Sequence, residues 1–237
     1  MSVIKRDPWL VRNTKRLITV LSSPGQVRYL RRWWGSLKPG HTLDAALPWL
    51  TYDAIEFLTS RIIPGWRVFE YGSGGSTLFW LERGAEVVSV EHDPQWYSQL
   101  QENTIQHPKL EYRLILPEPG DICGPLSLSS ISDPYCYQSS NVQFAGMNFR
   151  RYASQIDEFP DQHFDLVIVD GRARPSCLMH SVRKVKIGGM LVLDNADRDY
   201  YLARTHPLLK GFTLHRFRGL APGSVVYTQT NVYVRQS

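Results

Sequence analysis

Cysteine is scarce in this chain. Cys123, Cys136 and Cys177 make an odd set with no paired metal-ligand spacing. That excludes a cysteine-built metal site, and the expectation is a cytosolic chain with free thiols. Long hydrophobic runs are missing as well. The apolar run at residues 17–21 is too short, and too interrupted by charge, for a signal peptide, and no stretch is long enough to span a bilayer. A cytoplasmic protein is therefore expected. Internal repeats and low-complexity tracts are absent, which excludes solenoid and tract-built architectures. No lysine follows the glycine-rich stretch at residues 72–75 as the GK[ST] of a phosphate-binding P-loop requires.

What is there suits a globular enzyme-sized chain. Its 237 residues are 43% hydrophobic and 21% charged, enough to build a sizeable core. The net charge of +5 is unevenly placed. Residues 1–40 hold nine Lys/Arg against the single acid Asp7, so they carry +8 and the remainder −3. The basicity belongs to an N-terminal segment and not to the body, which argues against a protein-wide nucleic-acid surface.

Residues 1–63 read as a basic helical extension, broken at Pro24, Gly25, Pro39 and Gly40, with a helix over 51–62. From Trp66 the rhythm changes to alternating strands and helices, giving a domain over 64–237. Its strands are "WRVFEYG", "EVVSVEHD", "LEYRLILP", "FDLVIVDG", "GGMLVLDN", "FTLHRFRGL" and "SVVYTQTNVYVR". Helices are expected over 76–83, 94–106, 150–159, 176–186 and 198–209. Residues 118–148 interrupt the pattern as a long Pro/Ser/Gly-rich insertion, of the kind that is usually functional or mobile. Repeated strand–helix units with apolar strands predict an α/β fold, a seven-stranded and mostly parallel sheet with helices on both faces. The last two strands lack room for a crossover helix, so they form a hairpin and one of them runs antiparallel.

The stretch "RVFEYGSGGSTLFW" poses the functional question. In an open α/β sheet, ligands bind at the carboxyl ends of the strands where the order reverses. Gly72 and Gly74 let the backbone turn and approach a ligand, and the amides of Gly75, Ser76 and Thr77 open a helix. A dinucleotide is one reading, with Thr77 where the third glycine belongs. The acids favour another. Glu70, two residues before Gly72, would repel a pyrophosphate but suits an ammonium group. Glu91, ending the second strand, can accept ribose hydroxyls. A cofactor with a ribose, no phosphates and an amino-acid tail suits both, and S-adenosylmethionine (SAM) has those parts.

"VFEYGSGGST", "VVSVEHD", "FDLVIVDG" and "GGMLVLDN", in that order, resemble the successive strand-end motifs of class I SAM-dependent methyltransferases, over roughly residues 64–235. The first departs from the usual E-x-G-x-G-x-G, since Ser76 stands at the third glycine. The resemblance implies a Rossmann-like sheet binding SAM. Glu70, Gly72, Ser73 and Gly74 would flank the methionine part, Gly75, Ser76 and Thr77 would contribute amides and hydroxyls toward its carboxylate, Glu91 would hold the ribose, and His92 would lie near the adenine.

Asp170 ends the fourth strand, and Asp194 and Asn195 end the fifth. Adjacent strands would bring these three oxygen-bearing side chains to one rim, as candidate catalytic residues and as a hard-oxygen set for Mg²⁺ or another divalent cation. That pattern is similar to cation-dependent O-methyltransferases of the catechol type. The alternative for Asp194 and Asn195 is helix capping. Arg172 and Arg174 are placed to bind an anionic acceptor, or else to form a salt link to Asp165, Asp197 or Asp199, and Tyr152 is a candidate acceptor contact. The aromatic residues of the insertion, among them Tyr135, Tyr137 and Phe144, suggest a lid.

The expected partner is a small-molecule, sugar or lipid-linked glycan acceptor. Nucleic acid is disfavoured, because "VDGR" stands where amino-methylating nucleic-acid enzymes carry N/D-P-P-aromatic. The arginine and tryptophan mixture of the N-terminus allows peripheral membrane contact, as an alternative to a packed helical lid. An NAD-dependent oxidoreductase and a non-catalytic adaptor that retains the fold are the rival readings.

Overall fold

The structure is a computed structural model that describes residues 24–38, 40–104, 107–120 and 122–237. Seven strands form one sheet. They are β1 (Arg67–Tyr71), β2 (Glu86–Glu91), β3 (Leu110–Leu114), β4 (Phe164–Val169), β5 (Val185–Leu193), β6 (Phe212–Gly219) and β7 (Thr228–Arg235). Their order is β3-β2-β1-β4-β5-β7-β6. The first five are parallel, and β7 runs antiparallel to both β5 and β6. The hairpin is thus as its short connection requires. In β1 and β4 nearly every residue is buried, as a strand covered on both faces demands. The order reverses between β1 and β4, which opens a crevice at their carboxyl ends.

Each face of the sheet has its own core. On one, Phe69, Tyr71, Val167 and Leu191 pack under Phe149, Tyr152, Ile156, Cys177 and Leu178. On the other, Val68, Leu166, Ile168 and Val192 pack with Phe79, Trp80 and Leu81 and with Tyr29, Leu50, Tyr52, Ile55 and Leu58 of the extension. The described part of the extension therefore completes a layer of the fold. It holds α1 (Pro24–Val27), α2 (Leu30–Ser36), α3 (His41–Asp44) and α4 (Tyr52–Thr59). Backbone and side-chain bonds tie it to the C-terminal hairpin: Tyr52 N–H donates to Leu220 O, Thr51 N–H to Thr230 Oγ1, and Trp33 Nε1 to Ser224 O. Arg28 pairs with Asp53 and Glu56, and Arg32 with Glu56, so these two cations are balanced within the layer. Lys5, Arg6, Arg12, Lys15 and Arg16 lie outside the described residues.

The remaining helices are α5 (Gly75–Glu82), α6 (Pro94–Thr104), α7 (Leu128–Ser132), α8 (Arg150–Ala153) and α9 (Arg174–Ser181). Three expectations change. The helix predicted over 198–209 is two short 3₁₀ turns, Asp199–Tyr201 and His206–Leu209, with Pro207 in the first turn of the second, where it cannot donate back to residue 203. The helix over 150–159 is one α turn followed by a 3₁₀ turn, Ser154–Glu158. The free-thiol expectation fails for two of three cysteines: Cys123 and Cys136 form a disulfide inside the insertion, and Cys177 alone is free and buried. An oxidising compartment would maintain that bond and a reducing cytosol would open it. Among the described residues, no helix is long and apolar enough to cross a membrane.

Candidate active site

A cavity of about 500 Å³ occupies the crevice at the carboxyl ends of β1, β2, β4 and β5. Gly72, Ser73, Gly74, Gly75 and Ser76 form its floor, with Glu91 and His92 beside them and Asp170, Arg172, Asp194 and Asn195 opposite. Gly72 has φ +89°, and a Cβ there would meet the backbone of Gly171 at 3.0 Å, so β1 and β4 close on each other at a point that only glycine permits. At Gly75 a Cβ would lie 2.3 Å from Thr42 O and 2.5 Å from Leu47 O. The loop is thus wedged against the extension.

Glu70 does not face the cavity. It is fully buried, and its carboxylate accepts from Thr77 Oγ1 (2.5 Å), Ser89 Oγ (2.9 Å) and Trp80 Nε1 (3.4 Å). Thr77 Oγ1 in turn accepts from the Gly74 N–H (3.1 Å). Glu70 and Thr77, expected beside the methionine part, form instead a relay that anchors the glycine loop to the sheet. Burial pushes the Glu70 carboxyl up to about 7, against these hydrogen bonds.

Glu91 does line the cavity. Oε2 accepts from Ser73 N–H (3.0 Å) and Ser73 Oγ (3.1 Å), and Oε1 from the N–H groups of His92 (2.6 Å) and Asp93 (2.9 Å). Burial pushes its pKa up, but the bonds and the adjoining imidazole outweigh that and leave it below the usual range. Ser73 Oγ also lies 2.7 Å from the Tyr112 hydroxyl. A ribose hydroxyl can therefore replace the Ser73 bond to Glu91 while Ser73 keeps a partner. His92 Nε2 accepts from Arg172 Nε (3.1 Å), which puts the ring proton on Nδ1, 2.7 Å from Glu91 Oε1.

On the opposite wall, Arg174 is buried and its guanidinium makes four hydrogen bonds. Nη2 donates to Asp170 Oδ1 (2.9 Å) and to Asp170 O (2.7 Å), Nε to Gly171 O (3.1 Å), and Nη1 to Asp194 O. It pairs with Asp170, and not with the more distant acids expected as its alternative partners. Asp194 is 2% exposed and accepts from Thr230 Oγ1 (2.7 Å) on Oδ1 and from Asn195 Nδ2 (2.6 Å) on Oδ2. Burial raises both carboxyls, Asp170 to about 6 and Asp194 to about 7. Asp170 Oδ2 has no protein partner among the described residues.

These residues do not fit a divalent cation. Asp194 is held by neutral donors, Asn195 turns its amide nitrogen into Asp194, and a guanidinium already bridges the two strand ends. Among the described residues, no group of three His, Cys, Asp or Glu side chains is placed to hold a metal. Tyr152, expected to touch the acceptor, is fully buried beneath Gly171, where its hydroxyl abuts the position a Cβ would take.

Several lining residues were not anticipated. Trp96, in the first turn of α6, donates from Nε1 to Ser73 O (2.7 Å) and stacks its ring against Gly74. Its position just after "HDP" was a readable signal. Trp49 reaches the rim from the extension, and residues 222–224 and Thr228 come from the hairpin. Those depend on tertiary packing alone. Among the described residues, none of the 118–148 insertion lines this cavity, so the lid expected there is not placed over it. Tyr137 and Phe149 root the insertion and the turn that follows it in the core, and Phe144 packs on His92.

Sheet order, crevice and glycine loop together define the Rossmann-like fold of class I methyltransferases. The chain matches no family model and no curated protein. Solved structures are similar to it. They include a candidate O-methyltransferase from Klebsiella pneumoniae at 14% identity, covering 84% of this chain and 91% of that one, TM-score 0.54. An O-methyltransferase from Bacillus cereus in complex with SAH matches at 14% identity over 98% and 93% of the two chains, TM-score 0.51. Cofactor-bound Rv0187 from MTB matches at 18% identity over 83% and 87%, TM-score 0.51. At these identities the likeness establishes the fold.

Proposed function

We propose that the protein is a SAM-dependent methyltransferase that methylates a hydroxyl oxygen on a small molecule, sugar or lipid-linked glycan. The observation that carries the reading is the cavity itself, with a glycine loop on one side, an ionised Glu91 at the end of β2, and a partly exposed Asp170 facing them. Gly72 to Ser76 leave room for close approach, Glu91 is the acceptor for ribose hydroxyls, and Trp96 and His92 supply flat walls. SAM, when bound, supplies an electrophilic methyl group. The rest of the chemistry is positioning and proton removal by the protein. Asp170 is the candidate general base. Arg174 fixes Oδ1, Oδ2 is free to accept a hydroxyl proton, and a pKa of about 6 suits base work near neutrality.

The test is thermal stability with SAH or NAD. A ligand that binds only the folded state raises stability by about 2.7 kcal/mol at a hundredfold excess over its Kd. SAH is expected to raise the midpoint of the wild type, and Glu91→Ala to weaken that response at least tenfold. A response to NAD and not to SAH would overturn the reading in favour of an oxidoreductase.

A further inference from the structure

Next to the main cavity, across the turn at residues 171–174, lies a second cavity of about 20 Å³. Ser139, Ser140, Arg172, Arg174, Arg198 and Tyr201 are among its lining residues. Ser139 and Ser140 come from the insertion, Arg172 and Arg174 from the turn after β4, and Arg198 and Tyr201 from the segment after β5. Arg172 and Arg174 also line the main cavity, so the two spaces share a wall.

Three guanidiniums therefore border a water-sized space, and their charges are unequally balanced. Arg174 is paired with Asp170. Arg172 donates from Nε to His92 Nε2 (3.1 Å), and Arg198 donates from Nη1 to the Tyr201 hydroxyl (2.9 Å). Neither has a carboxylate within ion-pair distance among the described residues, and no carboxylate lines the slot. The other walls offer the hydroxyls of Ser139, Ser140 and Tyr201 beside the Gln138 amide, Ile131, Gly171 and Ala173, with Ser139 2% exposed. Tyr201 reports the resulting field. Burial would raise its phenol, yet Arg174 and Arg198, with a hydrogen bond from Ser140, leave it below the usual value. A cavity of this size holds about one water-sized group, so a single oxygen of an oxyanion can enter it. Converging guanidiniums with hydroxyl donors are the recognition chemistry of oxyanions.

We infer that this slot is an oxyanion subsite, which takes the terminal carboxylate or phosphate of the methyl acceptor while the acceptor hydroxyl lies by Asp170. The inference rests on the methyltransferase reading of the adjoining cavity. It makes the acceptor an acidic molecule, and it gives the insertion a role in acceptor recognition.

The test uses the full chain. Thermal midpoints are compared in sodium phosphate, sodium acetate and sodium chloride at matched ionic strength, each with and without SAH. Phosphate or acetate is expected to raise the midpoint above chloride at millimolar concentration. The larger response identifies a phosphorylated or a carboxylic acceptor. Arg198→Gln is expected to weaken the response at least tenfold and Ser140→Ala about threefold, with the SAH shift kept in both. Equal midpoints in all three salts, or an unaltered response in both variants, would overturn the inference. If Arg198→Gln does not fold, as a lost SAH shift would reveal, Ser140→Ala decides. An SAH shift with no oxyanion response defeats the slot alone. An oxyanion response with no SAH shift defeats the methyltransferase reading.

Discussion

Replacing Glu70 by glutamine isolates the cost of the buried carboxyl beneath the glycine loop. Glu70 takes hydrogen bonds from Thr77, Ser89 and Trp80 in a fully buried position, and burial pushes its pKa from 4.5 to about 7. The folded protein therefore holds a proton that the unfolded chain has already released between those values. The stabilising contribution is complete below pH 4.5, declines as pH rises toward 7, and is lost above it. The interval from 4.5 to about 7 corresponds to about 3 kcal/mol, at about 1.4 kcal/mol for each pH unit. Glutamine has the same shape and does not titrate. The wild type's margin over Glu70→Gln in unfolding free energy should shrink by about 3 kcal/mol from pH 4 to pH 8. Urea unfolding of both proteins at pH 4, 5.5, 7 and 8 measures it. A margin that stays constant, or grows with pH, would refute the argument that desolvation outweighs the donors.

The other predictions draw on different parts of the molecule. Gly75→Ala drives a methyl into Thr42 O and Leu47 O, so it should destabilise by about 2 kcal/mol or more and weaken SAH binding, as read by urea unfolding and ligand titration. Asp170→Asn should lower kcat by at least a hundredfold with SAH affinity within threefold of wild type, once an acceptor is in hand; an unchanged kcat removes Asp170 as base. Excess chelator should leave both the SAH shift and turnover unchanged, because Arg174 holds the place expected of a cation. Reducing the Cys123–Cys136 bond, which closes a loop with a sequence separation of 13, should cost about 3 kcal/mol of stability while leaving SAH binding in place, by unfolding with and without reductant.

The fold was legible because its signals are local and repeated. Continuous apolar runs such as "FDLVIV" announce strands buried on both faces, and the missing crossover before the last strand requires a hairpin. Glycines at 72 and 74 and an acid at the end of each of three strands were enough to place the crevice. The 198–209 segment, expected to be one helix, breaks ahead of Pro207, whose missing donor bars a continuous helix through that turn. The disulfide was missed for another reason. Two cysteines 13 residues apart carry no information about whether an irregular insertion folds back on itself.

Within the site, residue type and strand position were readable, but the partner of each polar group was not. Glu70 and Glu91 occupy equivalent places, each at or one residue before the end of a parallel strand. Yet Glu70 meets Thr77 and Ser89 under the loop and is sealed off, whereas Glu91 meets the loop's Ser73 and stays on the cavity wall. The same holds for the arginines. Arg172 and Arg174 are two residues apart, but Ala173 between them is left-handed (φ +45°) and Arg174 opens a helix, so the two side chains diverge. Arg174 folds back over the strand ends and satisfies Asp170, Gly171 and Asp194, while Arg172 remains between two cavities and, among the described residues, donates from its side chain to an imidazole alone. Arg198 escaped notice because it lies in a segment expected to be plain helix. It matters only because the chain brings it beside Arg172 and the serines of the insertion. A sequence motif names which charges stand at a rim. Which of them are already neutralised, and so which are left for a ligand, depends on contacts between segments far apart in the chain.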